Sequence, residues 1–364
     1  MKERRKRQNN NNNKNITKMT DKDGDPLTET APFLGQENTI PVSYNTRDIL
    51  MYAVSIGCGK ESRTGHDSNH GDLRFLYEQR DNFAAFPTFP IILQMKGDTQ
   101  DIDANASSNM YLGKNRKPKK AGDAPRRRAP KIKGVITGVD AERYIERVKD
   151  IPVFGHTKLF IKNRNIGYHQ KGKNMLAEGE GELVDESGNV YYKFQNGGMS
   201  IGAYGFKDSG KTNSEKIKPP NREPDCIVEV ETTPEQAHMY RLLGDYNPLH
   251  IDPNYPGVKG AGFPAPILHG LCTLGHGSRS VLMGMGGNDP SRFHALKLRF
   301  ASPVIPGDTL VTNMWKMTRE QVSGFVEPLP ANCDRIIFTT QVKSTGKVVL
   351  ANSYMDIFAA PAKL

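Results

Sequence analysis

Three side chains able to do acid–base chemistry fall within one short segment. Asp245, Asn247 and His250 follow Gly244, and Pro248 fixes the backbone bend between them. A carboxylate, an amide and an imidazole at this spacing can converge on one small volume and hold or move a proton. The same residue types are also common at helix ends, and a single histidine is often a packed core residue. The segment is therefore a candidate catalytic site, and a purely structural role stays open at this point.

A second chemical feature follows at residues 266–271, with the sequence PILHGL. Apolar residues begin a predicted helix there, and Gly270 falls in its first turn, where backbone N–H groups have no acceptor within the helix. Glycine lets a ligand approach those donors closely, and the helix dipole favours negative charge at that end. We therefore predict an oxyanion site for a carbonyl at Gly270. His269 precedes the helix and is interpreted as a structural residue.

Helices and strands can be predicted on either side of both features. Thr233 has the position of an N-cap and Gln236 that of its capping-box partner, so a helix should run to about Leu243 and end at Gly244. A second helix should begin at 267–270 and continue through Leu282. Strand-like patterns follow at 294–300, 309–316, 335–343 and 348–358. This order predicts an α+β fold in which an antiparallel sheet folds over a long helix.

The N-terminal half shows weaker patterns. Thr46 opens a short helical run, and 158–166 and 179–191 resemble strands that are joined by a turn at 186–188. Residues 1–35 are basic and rich in Asn, which predicts a disordered tail. Residues 97–130 are polar and rich in Lys, Arg and Pro, which indicates a long disordered insertion. Residues 207–224 contain Pro219-Pro220 and are interpreted as a linker.

Composition and charge exclude several classes of protein. The net charge is +10, but the basic residues concentrate in 1–18 and 114–133, so the rest of the chain is close to neutral. No basic face with interleaved aromatic residues is evident, which argues against nucleic-acid binding. Four widely spaced cysteines indicate reduced thiols rather than a disulfide framework or a zinc site. No apolar run is long enough for a membrane helix, and no secretory signal is recognisable.

Two short motif matches are rejected on context. Residues 205–212 fit the GxxxxGK[ST] pattern of a phosphate-binding loop, but Pro219-Pro220 prevents the helix that such a loop requires. Residues 198–202 fit the GxSxG pattern of a hydrolase nucleophile, but they lack the surrounding alternation of strands and helices. We interpret the first as linker and the second as part of a strand with small residues.

Longer stretches carry a resemblance to a known family. The segment DYNPLH at 245–250 is similar to the hydratase motif of type 2, (3R)-specific enoyl-CoA hydratases, which belong to the MaoC-like hot-dog family. The hydratase domain of peroxisomal multifunctional enzyme type 2 is one example. Agreement continues through PILHGLCTLG at 266–275 and DPSRFHALKLRFASPVIPGDTL at 289–310. It reaches the N-terminal half through TRDILMYAVSIG, DLRFLYE and FPTF.

The resemblance implies a fold, a reaction and a set of site residues. The fold would be a double hot-dog, with an acyl-binding N-terminal repeat at 36–206 and a catalytic repeat at 225–361. The reaction would be hydration of trans-2-enoyl-CoA to (3R)-3-hydroxyacyl-CoA, with no metal or separate cofactor. Catalysis would involve Asp245, His250, Asn247 and Gly270, and substrate binding would involve Lys171, Phe300 and Glu78. The family's His-Gly before a Glu-x-Tyr helix appears here as Asp140-Ala141, which puts that ligand contact in doubt.

The resemblance also implies partners and a cellular location. The tripeptide at 362–364, Ala-Lys-Leu, is similar to a peroxisomal targeting signal, so import through the peroxisomal receptor is expected. The family implies a homodimer that acts on acyl-CoA within fatty-acid β-oxidation. Two alternatives remain within this fold: a (3R)-hydroxyacyl thioester dehydratase of fatty-acid synthesis and an acyl-CoA thioesterase. A non-catalytic acyl-CoA carrier is a third, which the intact Asp245, Asn247 and His250 set disfavours.

Overall fold

A single antiparallel sheet extends through the protein. The computed structural model describes residues 20–59, 71–98, 129–260 and 262–359. Ten strands follow the order β1-β3-β4-β5-β2-β8-β11-β10-β9-β7, and the short β6 pairs with β3. The strands are β1 Asn38–Asn45, β2 Thr137–Arg147, β3 His156–Lys171, β4 Asn174–Val184, β5 Val190–Ile201, β6 Ser209–Gly210, β7 Cys226–Glu231, β8 Phe293–Phe300, β9 Thr309–Lys316, β10 Cys333–Val342 and β11 Val348–Phe358.

The sheet consists of two halves that meet at one strand pair. Strands β1–β5 form the N-terminal half and β7–β11 the C-terminal half, and β2 pairs with β8 from Glu142↔Arg299 to Glu146↔Ala295. The described helices are α1 Thr46–Ser55, α2 Leu73–Leu76, α3 Leu93–Lys96, α4 Gln236–Tyr240, α5 Pro256–Gly260 and α6 Gly270–Gly286. Each half thus has one longer helix, α1 or α6, against its part of the sheet. This is the double hot-dog that the resemblance implied.

The two long helices, the first of which carries a side-chain cap, cross closely. Asn45 caps α1 by accepting from the Asp48 N–H, and the Asp48 side chain accepts from the Asn45 N–H in return. Helix α6 is buried along most of its length. A Cβ on Gly275 would lie 2.3 Å from Cγ2 of Ile56, which follows α1, so only glycine permits this contact. One continuous apolar core therefore includes side chains from both halves.

Several predictions for the N-terminal half need correction. The predicted strand at 179–191 is wrong: β4 ends at Val184 and β5 begins at Val190, and the predicted turn at 186–188 lies between them. Residues 140–147 belong to β2 and not to a helix. Residues 20–35 differ from the expected disordered tail, because Thr28 bridges to Phe206 and Thr30 is fully buried. Residues 1–19, most of the predicted insertion, namely 99–128, and the tripeptide at 362–364 lie outside the described residues.

The segment 207–224 packs onto the sheet as it joins the two halves. Ser209–Gly210 form β6 on β3, which explains why residues 205–212 are not a phosphate-binding loop: no helix follows before Asp225. Farther on, the N–H groups of Asn213 and Ser214 donate to Glu178, and Ile217 is 3% exposed. The GxSxG match lies largely within β5, as predicted. Among the described helices, none is both long and apolar enough to cross a membrane.

Candidate active site

The catalytic segment begins at a glycine that the fold requires. Helix α4 continues as a 3-10 turn at Arg241–Leu243, and Gly244 follows with φ of +116°, a backbone conformation that side chains disfavour. A Cβ on Gly244 would lie 2.5 Å from the backbone N of Lys96, at the end of α3. Glycine at this position therefore allows the start of the candidate site to pack directly against α3 of the N-terminal half.

The turn after Gly244 orders Asp245 and Asn247. The Asn247 side-chain oxygen accepts from the Leu249 N–H at 3.0 Å, which caps the 3-10 turn Pro248–His250. The Asn247 N–H lies 3.3 Å from Oδ1 of Asp245. Because the Asn247 oxygen is engaged, its Nδ2 group is the part of the side chain that can serve a ligand. One Asp245 oxygen faces the backbone, and the other faces His250.

His250 is held as a neutral base beside this carboxylate. Its Nδ1 lies 2.8 Å from the Ile267 carbonyl oxygen and donates to it, so Nε2 carries the free lone pair in the neutral ring. Nε2 lies 3.9 Å from Oδ2 of Asp245, too far for a direct hydrogen bond. Burial lowers the pKa of His250, and the Asp245 carboxylate opposes that shift. The imidazole is therefore suited to accept a proton near neutral pH.

His269 contacts both residues of the pair. Its ring stacks on that of His250 with centroids 3.8 Å apart, and its Nε2 donates to the Asp245 carbonyl oxygen at 3.1 Å. Burial, followed by the neighbouring His250, lowers the pKa of His269 well below its ordinary value. The Tyr240 ring packs against the His269 ring, with centroids 5.1 Å apart. These contacts describe the structural role predicted for His269. Tyr240 was not predicted as a site residue, because no sequence motif marks it.

Asp245 and the two histidines are also residue types that can ligate a metal ion. Asp245, His250 and His269 each place one potential ligand atom within 4.8 Å of the others. The two imidazole rings stack on each other with a tilt of 30°, however, and each already donates one N–H to a backbone carbonyl oxygen, His250 to Ile267 and His269 to Asp245. Ligands of a bound cation need lone pairs that converge on one point. The arrangement favours proton transfer over metal coordination.

Gly270 begins α6 beside the candidate pair. Its backbone N–H has no acceptor among the described residues, as expected for the first residue of a helix. A Cβ at this position would lie 3.5 Å from Cε1 of Phe300, so a gap about one methyl wide separates the two residues. Phe300 ends β8. The structure thus brings together Asp245, Asn247, His250, Gly270 and Phe300, all five of which were predicted from the sequence.

Two predicted substrate residues lie apart from this group. Lys171 is the last residue of β3, opposite Asn174, and β4 and β5 separate its strand from β2. Glu78 lies in a turn after α2 and is partly exposed. Within the described part of the chain, no hydrogen bond or ion pair joins either residue to Asp245 or His250.

A charge pair from the N-terminal half also approaches the site. Nε of Arg143 donates to Oδ2 of Asp140 at 2.9 Å. Burial raises the pKa of Asp140; Arg143 opposes this shift, and the nearby Asp245 carboxylate adds to it. In the sequence, the pair was indicated by Asp140, which stands where the family has a histidine.

Comparison with known proteins agrees with this architecture. Residues 215–327 match the MaoC like domain, and residues 42–112 match the MFE-2 hydratase 2 N-terminal domain. The chain is 32% identical to enoyl-CoA hydratase 2, peroxisomal, of Arabidopsis thaliana, over 86% of this chain and 90% of the relative. It is 34% identical to peroxisomal multifunctional enzyme type 2 of Drosophila melanogaster over 88% of this chain, and it spans 47% of that relative's length.

A solved structure gives the same result in three dimensions. The MaoC-like dehydratase from Phytophthora capsici superposes with a TM-score of 0.70 at 31% identity, covering 90% of this chain and 96% of the other. Both the sequence and the fold therefore agree over nearly the full length of stand-alone relatives. The chain belongs to the MaoC-like family, in the branch that carries the MFE-2 hydratase 2 N-terminal domain.

Proposed function

We propose that this chain hydrates trans-2-enoyl-CoA to (3R)-3-hydroxyacyl-CoA. The observation that carries the proposal is the arrangement of Asp245 and His250, 3.9 Å apart and next to the Gly270 N–H, which has no acceptor in the described part of the chain. Acid–base chemistry and an oxyanion donor are the two requirements for adding water to an α,β-unsaturated thioester. Relatives named enoyl-CoA hydratase 2 support the choice of reaction and substrate.

The geometry suggests a division of labour. Nε2 of His250 accepts a proton from water, which Asn247 Nδ2 helps to orient, as the water oxygen bonds to C3. The π electrons move toward the thioester oxygen, and the Gly270 N–H stabilises the negative charge that develops there. His250 passes the water proton to the Asp245 carboxylate, which delivers it to C2 as the enolate collapses. Both groups thereby return to their starting states, and one water is added in total.

The direct test follows absorbance loss from purified protein and trans-2-decenoyl-CoA. Asp245→Ala and His250→Ala should each lower kcat by at least about 10²-fold, the usual size of a lost acid–base group. Asp252→Ala and His238→Ala are matched controls, because both residues are exposed and lie near the same segment. Normal hydration by the Asp245 and His250 variants would refute the site.

The product distinguishes the competing reactions. A (3R)-specific dehydrogenase should oxidise the product, whereas a (3S)-specific one should not. Release of free CoA, measured with a thiol reagent, would instead indicate a thioesterase. The dehydratase alternative runs the same chemistry in reverse, and comparing rates with CoA and acyl-carrier-protein thioesters would separate the two roles.

The cellular setting and assembly belong to the same proposal. The names of the relatives support a peroxisomal location. We expect a role in fatty-acid β-oxidation and delivery by the peroxisomal import receptor. We expect a homodimer, which light scattering coupled to size-exclusion chromatography can measure. We also expect that catalysis needs no metal or redox cofactor, so dialysis against a chelator should leave kcat unchanged. A fluorescent fusion that fails to colocalise with a peroxisomal marker would contradict the location.

A further inference from the structure

His269 lies directly before the candidate oxyanion donor. It is the N-cap residue of α6, and Gly270 is the first residue of that helix. The His269 carbonyl oxygen accepts from the Thr273 N–H at 3.0 Å and from Oγ1 of Thr273 at 3.2 Å. These hydrogen bonds fix the main chain of His269 to the first turn of α6. The fully buried His269 ring is therefore held by the same helix end that presents the Gly270 N–H.

The same ring contacts both residues of the acid–base pair. Its hydrogen bond to the Asp245 carbonyl oxygen holds the main chain from which that carboxylate extends. Its stack on the His250 ring, with a tilt of 30°, restricts the rotation of that imidazole. One side chain thus joins the helix end, the carboxylate and the base.

The His269 ring is suited to this place because it stays neutral. Burial, partly beneath the Tyr240 ring, is the main cause that lowers its pKa. His250 and then Arg241 act in the same direction, and the hydrogen bond to Asp245 opposes them. In the neutral ring Nε2 carries the proton, since a carbonyl oxygen can only accept. A cation stacked on His250 would instead repel the proton that His250 accepts from water.

We propose that His269 is a positioning residue that holds Asp245 and His250 at fixed positions relative to the Gly270 N–H. This inference rests on the proposed hydratase function and adds a residue that acts through the reacting groups. Water addition needs the base at C3, the acid at C2 and the donor at the thioester oxygen at the same moment. An error of about 1 Å in such an arrangement can cost about 10²-fold in rate. Loss of His269 should therefore lower kcat and leave KM nearly unchanged.

The test uses two substitutions that each keep one contact of His269. His269→Phe keeps a flat ring beside His250 but removes the donor to Asp245. His269→Gln keeps an N–H donor at the place of Nε2 but removes the ring. With trans-2-decenoyl-CoA, His269→Phe should lower kcat about tenfold or more and change KM less than about threefold. His269→Gln should recover part of this loss, because it restores the hydrogen bond that anchors the catalytic turn.

A histidine away from the site provides the matched control. His294 is partly buried at the start of β8, at the opposite end of that strand from Phe300, and its ring packs against Phe358. His294→Phe and His294→Gln should keep the wild-type kcat. Urea unfolding of every variant should accompany the kinetics, so that kcat refers to folded protein.

A double substitution separates positioning from an independent effect. If His269 acts through the pair, adding His269→Phe to His250→Ala should lower kcat less than about threefold further, because the proton path that it positions is already broken. A full additional loss in the double variant overturns the inference, as does wild-type kcat in His269→Phe. A His269→Gln variant no more active than His269→Phe also overturns it. Failure of the wild type on this ester would instead refute the proposed hydratase function.

Discussion

Replacing Gly270 with alanine separates the proposed oxyanion role from the stability of the fold. The added Cβ would lie 3.5 Å from Cε1 of Phe300, an ordinary van der Waals contact, so the helix can accept it. We expect the free energy of unfolding to change by less than about 1 kcal/mol. The same methyl would fill the gap where the thioester oxygen must approach the Gly270 N–H. Loss of an oxyanion donor costs about 10²–10³-fold in kcat, so we expect a loss of about 10²-fold.

Replacing Gly275, in the same helix, should lower stability and leave catalysis largely unchanged. A Cβ there would lie 2.3 Å from Cγ2 of Ile56, which is fully buried, so the two helices would have to separate. Overpacking of this kind costs about 1–3 kcal/mol, offset by up to about 1 kcal/mol of helix propensity gained over glycine. We therefore expect Gly275→Ala to lower stability by about 1–2 kcal/mol.

Urea unfolding and hydration of trans-2-decenoyl-CoA should be measured on both variants. The expected pattern is a stable, nearly inactive Gly270→Ala and a less stable Gly275→Ala that keeps most of its kcat when folded. Wild-type kcat in Gly270→Ala would refute the placement of the thioester oxygen. A marked loss of stability in that variant would refute the packing on which the placement depends.

Three further predictions concern the surroundings of the site. Gly244→Ala should destabilise the protein by about 2–5 kcal/mol in urea unfolding, because it adds backbone strain and a clash with the backbone of Lys96, whereas Gly260→Ala meets no neighbour and should be neutral. Asp72→Asn should cost about 3–5 kcal/mol by the same measurement, since it leaves Arg279 buried without its carboxylate 2.5 Å away; an unchanged midpoint would contradict this. His250 and His269 have lowered pKa values, so stability should be complete above about pH 6.5 and fall below it by up to about 1.4 kcal/mol per pH unit for each ring; a flat profile between pH 7.5 and 5.5 would rule this out.

The C-terminal half could be predicted well because its signals are local. The four strands expected at 294–300, 309–316, 335–343 and 348–358 begin and end within two residues of β8–β11. Their alternating apolar residues and the turns between them carry this information. Asp245, Asn247 and His250 could likewise be identified because they are neighbours along the chain.

The N-terminal half was harder to predict for physical reasons. Strands β4 and β5 contain glycines at positions such as Gly179, Gly181 and Gly198, which weaken the pattern of alternation. Strand β2 was missed altogether, because its pairing with β8 joins residues about 150 positions apart in sequence, and no local signal reports such a pair. Arg143 depends on this pairing for its place near the site, so it could not have been found without the fold.

The β2–β8 pair gives the molecule a property that two identical subunits joined in the same way would lack. A symmetric association of two copies must present the same residues on both sides of its interface. Here the two sides are encoded separately, so one can keep Asp245 and His250 while the other presents Asp140 and Arg143. Because both sides belong to one chain, they stay together at any protein concentration. Substrate selection can therefore diverge in one half while the reacting groups of the other remain unchanged.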